Sequence, residues 1–190
     1  GFVTMSGDGY IKRLPPDTFK KQKRGGKGLM GSEVGEEDVV GHFLRANTHD
    51  NILFFTASGK AYQTKVYELP VGSRVSNGKA IHNFLEIPPA EKISAIITYS
   101  TQRGKAPGYL VMMTEQGVIK KTAMAEFENV RRTGIIAIGL KKGDSLGWVK
   151  LSTGKEELIL TTTKGQAIRF KESEIRPMGR TAAGVRGISL

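Results

Sequence analysis

The amino-acid sequence predicts an all-β protein made of propeller-like blades, each with four short strands. Apolar runs of four to six residues, rich in β-branched and aromatic side chains, are bounded by turn residues. One pattern of such runs recurs at intervals close to the size of a propeller blade. No segment keeps an apolar 3.6-residue period long enough for a convincing helix. A sandwich of hairpins is the main alternative, and the regular recurrence favours blades.

The recurring pattern appears four times, near residues 2–31, 52–85, 110–140 and 158–190, and we expect one domain over 1–190. Each copy has an apolar run, a polar turn ending in glycine, and a second apolar stretch with basic residues. The anchor glycines are Gly9, Gly59, Gly117 and Gly165, with spacings of 50, 58 and 48 residues. Glycine in a hairpin turn supplies the positive φ that other residues resist. These glycines therefore predict four β-hairpins.

Two further features of each copy complete the predicted blade. A second glycine follows each anchor at Gly26, Gly78, Gly134 and Gly184, before a small residue and an aliphatic one. Aliphatic stretches between the copies, such as "DVVGHFL" from Asp38 and "KISAIITY" from Lys92, predict linking strands. The best helix candidate, "TAMAEFENV" from Thr122, is short and has irregular counterparts in other copies.

Composition restricts the class of partner. The chain has 190 residues, 29 Lys and Arg against 18 Asp and Glu, a net charge of +11 and no cysteine. Such an excess of positive charge favours a polyanion, and nucleic acid is the commonest one. The absence of cysteine excludes disulfides and thiolate chemistry and fits a cytoplasmic location. No apolar run approaches the roughly 18 residues of a membrane span. The strand-like first and last residues suggest a piece of a longer protein.

Basic residues recur in the second strand of each hairpin and near the second glycine. Because rotation places equivalent residues of successive blades at one height, they predict a positive belt around the perimeter. The belt residues are Lys12, Arg13, Lys65, Arg74, Lys79, Lys120, Lys121, Arg131, Arg132, Arg169, Lys171, Arg180 and Arg186. Outward charges serving solubility alone would have mixed signs, whereas these are positive and the acids collect in the links. Such a belt binds phosphates without reading bases.

The sequence around each candidate catalytic or cofactor motif does not fit the structure that the motif requires. Gly26, Gly28 and Gly31 spell G-x-G-x-x-G, but a lysine-rich stretch precedes them where a dinucleotide site needs a buried strand. "GDSLG" from Gly143 matches a nucleophile elbow, but Leu146 onward reads as a strand where the elbow needs a helix. The three histidines lack metal-ligand spacing. We therefore expect no catalytic residue, cofactor or metal in this chain.

One seven-residue stretch resembles a known family. The residues Gln22, Lys23, Arg24, Gly25, Gly26, Lys27 and Gly28 read QKRGGKG. They are similar to the box in the C-terminal domain of the DNA gyrase A protein, usually Q-R-R-G-G-K-G, from which Lys23 departs. "ANTHDNILFFTASGKAY", "IKKTAMAEF" and "IRFKESEIRPMGRTAAGVRGI" also resemble that domain, so the resemblance covers essentially the whole chain.

The resemblance implies a β-pinwheel, a propeller variant whose blades exchange strands, with about four of the usual six blades present. It implies that double-stranded DNA wraps around the basic rim so that the enzyme introduces negative supercoils. This chain alone would then be non-catalytic, with ATP and Mg²⁺ needed only elsewhere in the holoenzyme. Its protein partners would be the N-terminal region of the gyrase A protein and the gyrase B protein. The protein would be located in the bacterial cytoplasm, at the nucleoid, and would bind no membrane.

The box has a specific role within this interpretation. Its glycines let the main chain approach DNA phosphates, and Lys23, Arg24 and Lys27 supply charge. A solvated loop between strands is the purely structural alternative. Two other functions stay open: the corresponding C-terminal domain of topoisomerase IV, whose box is degenerate or absent, and a propeller-type module that binds proteins.

Overall fold

The computed structural model describes residues 1–18, 40–100 and 108–188, and the regular structure there is almost entirely β. The strands are β1 (Phe2–Ser6), β2 (Tyr10–Leu14), β3 (Val40–Arg45), β4 (Asn51–Thr56), β5 (Lys60–Lys65), β6 (Lys79–Ala80), β7 (Ile93–Tyr99), β8 (Tyr109–Thr114), β9 (Val118–Ala123), β10 (Ile135–Ile136), β11 (Leu146–Ser152), β12 (Glu157–Thr161), β13 (Ala167–Lys171) and β14 (Val185–Arg186). The predicted all-β class is confirmed.

The helical turns are short. They are 3₁₀ turns at Pro16–Thr18, Val66–Glu68, Ile81–Asn83, Met124–Phe127 and Glu172–Glu174. The predicted helix candidate "TAMAEFENV" is one of them, since Met124–Phe127 forms a single turn after β9. In the described part of the chain, no helix has the length and apolar character needed to cross a membrane.

Strands are exchanged between consecutive repeats, as the resemblance implied. The first three sheets have the antiparallel orders β3-β1-β2-β6, β7-β4-β5-β10 and β11-β8-β9-β14. The fourth strand of each sheet, a two-residue strand, comes from the repeat that follows in the sequence. The exchange ties each blade to the next through backbone hydrogen bonds.

The fourth repeat differs from the prediction of four strands in every unit. Only β12 and β13 pair there, so the described residues form three four-stranded sheets and one two-stranded sheet. In the first three sheets, the strand beside the hairpin comes from the link after it, and the fourth strand comes from the next repeat. Neither counterpart lies among the described residues of the last repeat.

The strand β4 packs against two neighbouring sheets, which explains its continuous apolar sequence. Successive side chains of a strand point to opposite faces. In β4, Ile52 and Phe54 join a core with residues of the first sheet, whereas Leu53 and Phe55 join a core with residues of the third. All six residues of β4 are buried. A strand covered on one face alone would alternate between apolar and polar residues.

The strands at one edge of the sheets contact one another and form what we call the inner edge. It consists of β3, β7 and β11. β7 packs against β11, and the Ser94 hydroxyl donates a hydrogen bond to the Leu146 carbonyl over 2.6 Å. The opposite edge, formed by β6, β10 and β14, is the outer edge. Its strands are the three exchanged ones.

The anchor glycines occupy left-handed turns, as the hairpin prediction required. The φ angles are 82° for Gly9, 83° for Gly59, 82° for Gly117 and 80° for Gly165. A β-branched residue is a genuine outlier at such angles. Gly59 also lies against the exchanged strand, since its carbonyl accepts a hydrogen bond from the Ala137 amide over 2.8 Å.

We expect Gly59→Val to lower the free energy of unfolding by more than Gly165→Val does. Both variants carry backbone strain of about 1–3 kcal/mol. A Cβ at Gly59 would lie 2.8 Å from the Ile138 carbonyl oxygen, whereas a Cβ at Gly165 has nothing within 4 Å. The clash should add about 1–3 kcal/mol at Gly59, because backbone of the exchanged strand must shift. Denaturant unfolding of both variants measures the difference, and equal losses would contradict it.

Candidate nucleic-acid interface

Exposed basic residues occur at the outer edge of all three four-stranded sheets. Lys79 lies in β6, Arg186 lies in β14, and Arg131 lies in the turn that leads into β10. The side chains of all three are exposed. Each belongs to the segment that one repeat contributes to the sheet of the repeat before it. At least one exposed cation per sheet therefore lies along the outer edge.

Arg132, the neighbour of Arg131, is exposed but paired. Its guanidinium donates to the Glu68 carboxylate over 2.5 Å, and the arginine side chain remains 62% exposed. The hydrogen bond from the Thr64 hydroxyl and the contact with Arg132 hold the pKa of Glu68 below its ordinary value, although burial opposes them. The pair fixes the Arg132 loop to the preceding repeat and leaves most of the guanidinium accessible.

Three predicted belt residues are buried, and the structure corrects their assignment. Lys12 is 4% exposed, Lys120 0% and Lys121 4%. Their ammonium groups donate to backbone carbonyls: Lys12 to those of Ser73, Arg74 and Ser76, Lys120 to those of Ala137 and Arg180, and Lys121 to that of Glu172. These strands are covered on both faces, so a lysine in them points into protein. None of these three ammonium groups can contact a DNA phosphate in this structure.

The other predicted belt residues divide by exposure. Lys171 and Arg169 are exposed, and Arg169 pairs with Glu157 of the adjacent strand over 2.8 Å. Arg13, Lys65, Arg74 and Arg180 are partly buried. Arg180 also donates a hydrogen bond from its guanidinium to the Ile136 carbonyl over 2.7 Å, which holds it beside β10.

One basic residue at the outer edge was missed by the sequence analysis. Lys60 opens β5 opposite Ile136 of the exchanged strand β10, and its side chain is exposed. It directly follows the anchor glycine Gly59, so a basic residue next to the hairpin turn was the available signal. The other anchor glycines are followed by tyrosine, valine and glutamine, so a basic residue at this position does not recur between repeats.

The inner edge has a different electrostatic character. A cavity of about 740 Å³ opens between the ends of β3, β7 and β11. Its lining includes the carboxylates of Asp8, Glu91 and Glu115 together with Lys92. Carboxylates repel phosphates, so the outer edge is the better candidate for a polyanion. Within residues 1–18, 40–100 and 108–188, no cluster of three or more metal-ligating side chains occurs.

The box lies outside the described residues. Gln22, Lys23, Arg24, Gly25, Gly26, Lys27 and Gly28 all fall in the segment 19–39. Their predicted role in DNA binding therefore stays a prediction.

Burial gives Lys120 an unusual acidity. Desolvation lowers the pKa of Lys120 from 10.5 to about 8, with Glu126 raising it and Arg180 lowering it to smaller extents. The unfolded chain then binds more protons than the folded one between these two pKa values. Folding in that window releases the proton that the unfolded chain still binds, and this release becomes easier as the pH rises, so stability increases with pH.

We expect the free energy of unfolding of the unchanged chain to rise, relative to that of Lys120→Met, between about pH 8 and pH 10.5. Methionine does not titrate, so subtracting the two curves removes every other titrating group. Urea unfolding at half-unit pH intervals measures the difference. A flat difference curve would contradict the lowered pKa.

A sequence of strand-exchanging antiparallel sheets that meet at an inner edge defines a propeller-type domain, and here its outer edge is basic. The chain belongs to the family described as the DNA gyrase C-terminal domain, beta-propeller, whose model matches residues 2–46, 50–98, 108–150 and 156–190. These four matched segments begin near the starts of the four repeats found in the sequence.

Individual proteins support this assignment. The chain is 46% identical over 187 residues to the DNA gyrase A protein of Halalkalibacterium halodurans, covering 98% of the chain and 22% of that relative. The solved C-terminal domain of DNA topoisomerase IV superposes with a TM-score of 0.80 at 30% identity, over 100% of this chain and 57% of the other. A DNA gyrase A C-terminal domain superposes with a TM-score of 0.74 at 26% identity, over 99% and 60%. The chain thus spans about a fifth of the length of its curated relatives.

Proposed function

We propose that this chain binds double-stranded DNA along its outer edge and wraps it, as the non-catalytic DNA-binding part of a gyrase A protein. The observation that carries the proposal is the exposed cation at the same edge of three successive sheets, at Lys79, Arg131 and Arg186. Cations at regular intervals along a curved surface can neutralise successive phosphates of a bent duplex. Bending a short duplex by 40–90° costs about 1–6 kcal/mol, which such contacts must offset.

The wider context of the proposal comes from the relatives. In a complete gyrase, the wrapped DNA would be passed to the cleavage machinery in the N-terminal region of the gyrase A protein, and the gyrase B protein would use ATP and Mg²⁺. This chain would hold the DNA and catalyse no step. Such an enzyme acts on the bacterial chromosome, which would place it in the cytoplasm at the nucleoid.

We expect binding to a duplex of mixed sequence to weaken steeply with salt. The exposed edge cations correspond to about four to six phosphates, so the slope of log K against log salt should be about −4 to −5. This slope is less steep than the one expected for the full predicted belt, because Lys12, Lys120 and Lys121 are buried. Fluorescence anisotropy at several salt concentrations measures the slope. A protein-binding module would show little affinity for DNA and no such slope.

A role in topoisomerase IV is the second candidate, because a solved C-terminal domain of that enzyme superposes well on this chain. The intact QKRGGKG box favours gyrase, since the box is expected to be degenerate or absent in topoisomerase IV. Supercoiling by the full-length protein with its partner distinguishes the two. Gyrase would produce negatively supercoiled plasmid from relaxed plasmid, whereas topoisomerase IV would not.

A further inference from the structure

The buried ammonium group of Lys12 is bound entirely by one loop of the next repeat. Its Nζ donates to the carbonyls of Ser73 over 3.0 Å, Arg74 over 2.9 Å and Ser76 over 2.6 Å. An ammonium group has three N–H donors, so this loop uses all of them. The loop leads into β6, the exchanged strand that carries Lys79 at the outer edge.

Lys120 repeats this arrangement in the third sheet. It occupies the third position after Gly117, as Lys12 does after Gly9. Its Nζ donates to the Ala137 carbonyl over 2.7 Å and to the Arg180 carbonyl. Arg180 is the counterpart of Arg74, since each precedes the second glycine of its repeat by four residues. A buried lysine therefore contacts the backbone of an edge arginine in two separate sheets.

The second sheet lacks both members of this pair. The third position after Gly59 is Tyr62, which is 1% exposed. Its ring packs under Gly134, where an added Cβ would lie 2.5 Å from a ring carbon. The place of the edge arginine is taken by Val130, which is buried. Lysine and arginine thus occur together in the first and third sheets and are replaced together in the second.

We propose that Lys12 and Lys120 are positioning residues that hold the edge loops of Arg74 and Arg180 in the conformation that contacts DNA. This inference rests on the proposed function. The buried ammonium groups draw the loop carbonyls toward the interior and away from an approaching phosphate. A loop fixed in this way also loses less conformational freedom when DNA binds, which increases affinity.

The test is a double-mutant cycle on the 190-residue chain, with affinity for a duplex measured by anisotropy. We expect Lys120→Met to weaken binding roughly three- to tenfold, about as much as Arg180→Ala. Arg180→Ala removes about one phosphate contact directly, and Lys120→Met loses the same contact by releasing the Arg180 loop. The double variant should bind DNA with an affinity within about twofold of that of either single variant, since both substitutions act through one loop. The losses of affinity from Lys120→Met and Lys79→Ala should instead multiply, because Lys79 lies at the edge of the first sheet and Lys120 lies in the third.

A chemical rescue separates the ammonium group from packing. The chain has no cysteine, so Lys120→Cys can be alkylated with 2-bromoethylamine in denaturant and refolded as a thioether analogue of lysine. We expect the analogue to restore affinity to within about twofold of the unchanged chain, while alkylation with iodoacetamide does not. If Lys120→Met does not fold, the same cycle is run with Lys12→Met and Arg74→Ala.

Two results would overturn the inference: folded lysine variants that bind DNA as the unchanged chain does, or lysine and arginine substitutions whose effects multiply. Failure of the unchanged chain to bind DNA would overturn the proposed function itself and this inference with it. The melting temperature of every variant is measured in parallel, and affinities are compared well below it.

Discussion

Replacing Lys79, Arg131 and Arg186 together by glutamate is expected to lower the affinity for duplex DNA at least about 100-fold at low salt. Each substitution removes a phosphate contact and adds a charge that repels the DNA backbone. The salt slope should fall by about three units for the same reason. Because these side chains are exposed and lie at the sheet edge, we expect the melting temperature to change little.

A matched control makes the same change in net charge at residues that lie away from the outer edge. Lys92, Lys150 and Lys155 are exposed and lie away from the outer edge, at the start of β7, in β11 and in the link after β11. Their replacement by glutamate also changes the net charge by six units. We expect a loss of affinity of no more than about tenfold, from the general field alone. Equal losses in the two triple variants would show that net charge, and not the outer edge, determines binding.

Replacing Lys23, Arg24 and Lys27 together by alanine in the full-length protein is expected to abolish negative supercoiling. A bent duplex persists only while contacts at its ends hold it, and the box is proposed to supply one such contact. Relaxation of supercoiled plasmid and simple DNA binding should persist, because the cleavage machinery and the outer edge are unchanged. Topoisomer gels run beside a binding titration measure both activities.

The neighbouring lysines provide the control for the box. Lys20 and Lys21 lie in the same basic stretch but outside the seven-residue motif. Their replacement by alanine should leave supercoiling nearly unchanged. Supercoiling that survives the triple substitution would mean that the box is only a loop between strands.

The fold was largely accessible from the sequence because its signals are local. A hairpin places its glycine next to the strands that it joins, and Gly59 with β4 and β5 was recognisable from fewer than twenty residues. The linking strand β11 was also predicted, from the residues that begin at Leu146, and the turn before it at Gly143 has a φ of 82°. The exchange of strands was implied only by the resemblance, since two-residue strands such as β6 have no pattern of their own.

The second glycines were found by their spacing, but their purpose is visible only in three dimensions. A Cβ at Gly78 would lie 2.5 Å from the Ile11 carbonyl oxygen, and one at Gly184 would lie 2.6 Å from that of Ile119. These glycines let the exchanged strand approach the sheet of the preceding repeat. Their partners are distant in sequence, so no local pattern could identify them.

The candidate site was predicted less well, for the same reason. Whether Lys120 lies on a free surface depends on the Arg180 carbonyl, 60 residues further along the chain. Charge alone cannot distinguish an ammonium group that faces solvent from one that is satisfied by buried carbonyls. The pairing of Arg132 with Glu68 spans 64 residues and was equally invisible. Lys79 and Arg186, which closely follow the second glycine, are exposed at the outer edge, and their role in DNA binding stays a prediction.

The central claim is that duplex DNA lies against the outer edge, and site-directed photo-crosslinking tests it most directly. The chain has no cysteine, so single-cysteine variants at Lys79, Arg131 and Arg186 can each carry an azidophenacyl group, as can variants at Lys92 and Lys150. We predict that a labelled duplex crosslinks from the three outer-edge positions and not from the other two. Crosslinking from Lys92 and Lys150 with equal efficiency, or none from the outer edge at saturating DNA, would contradict the account.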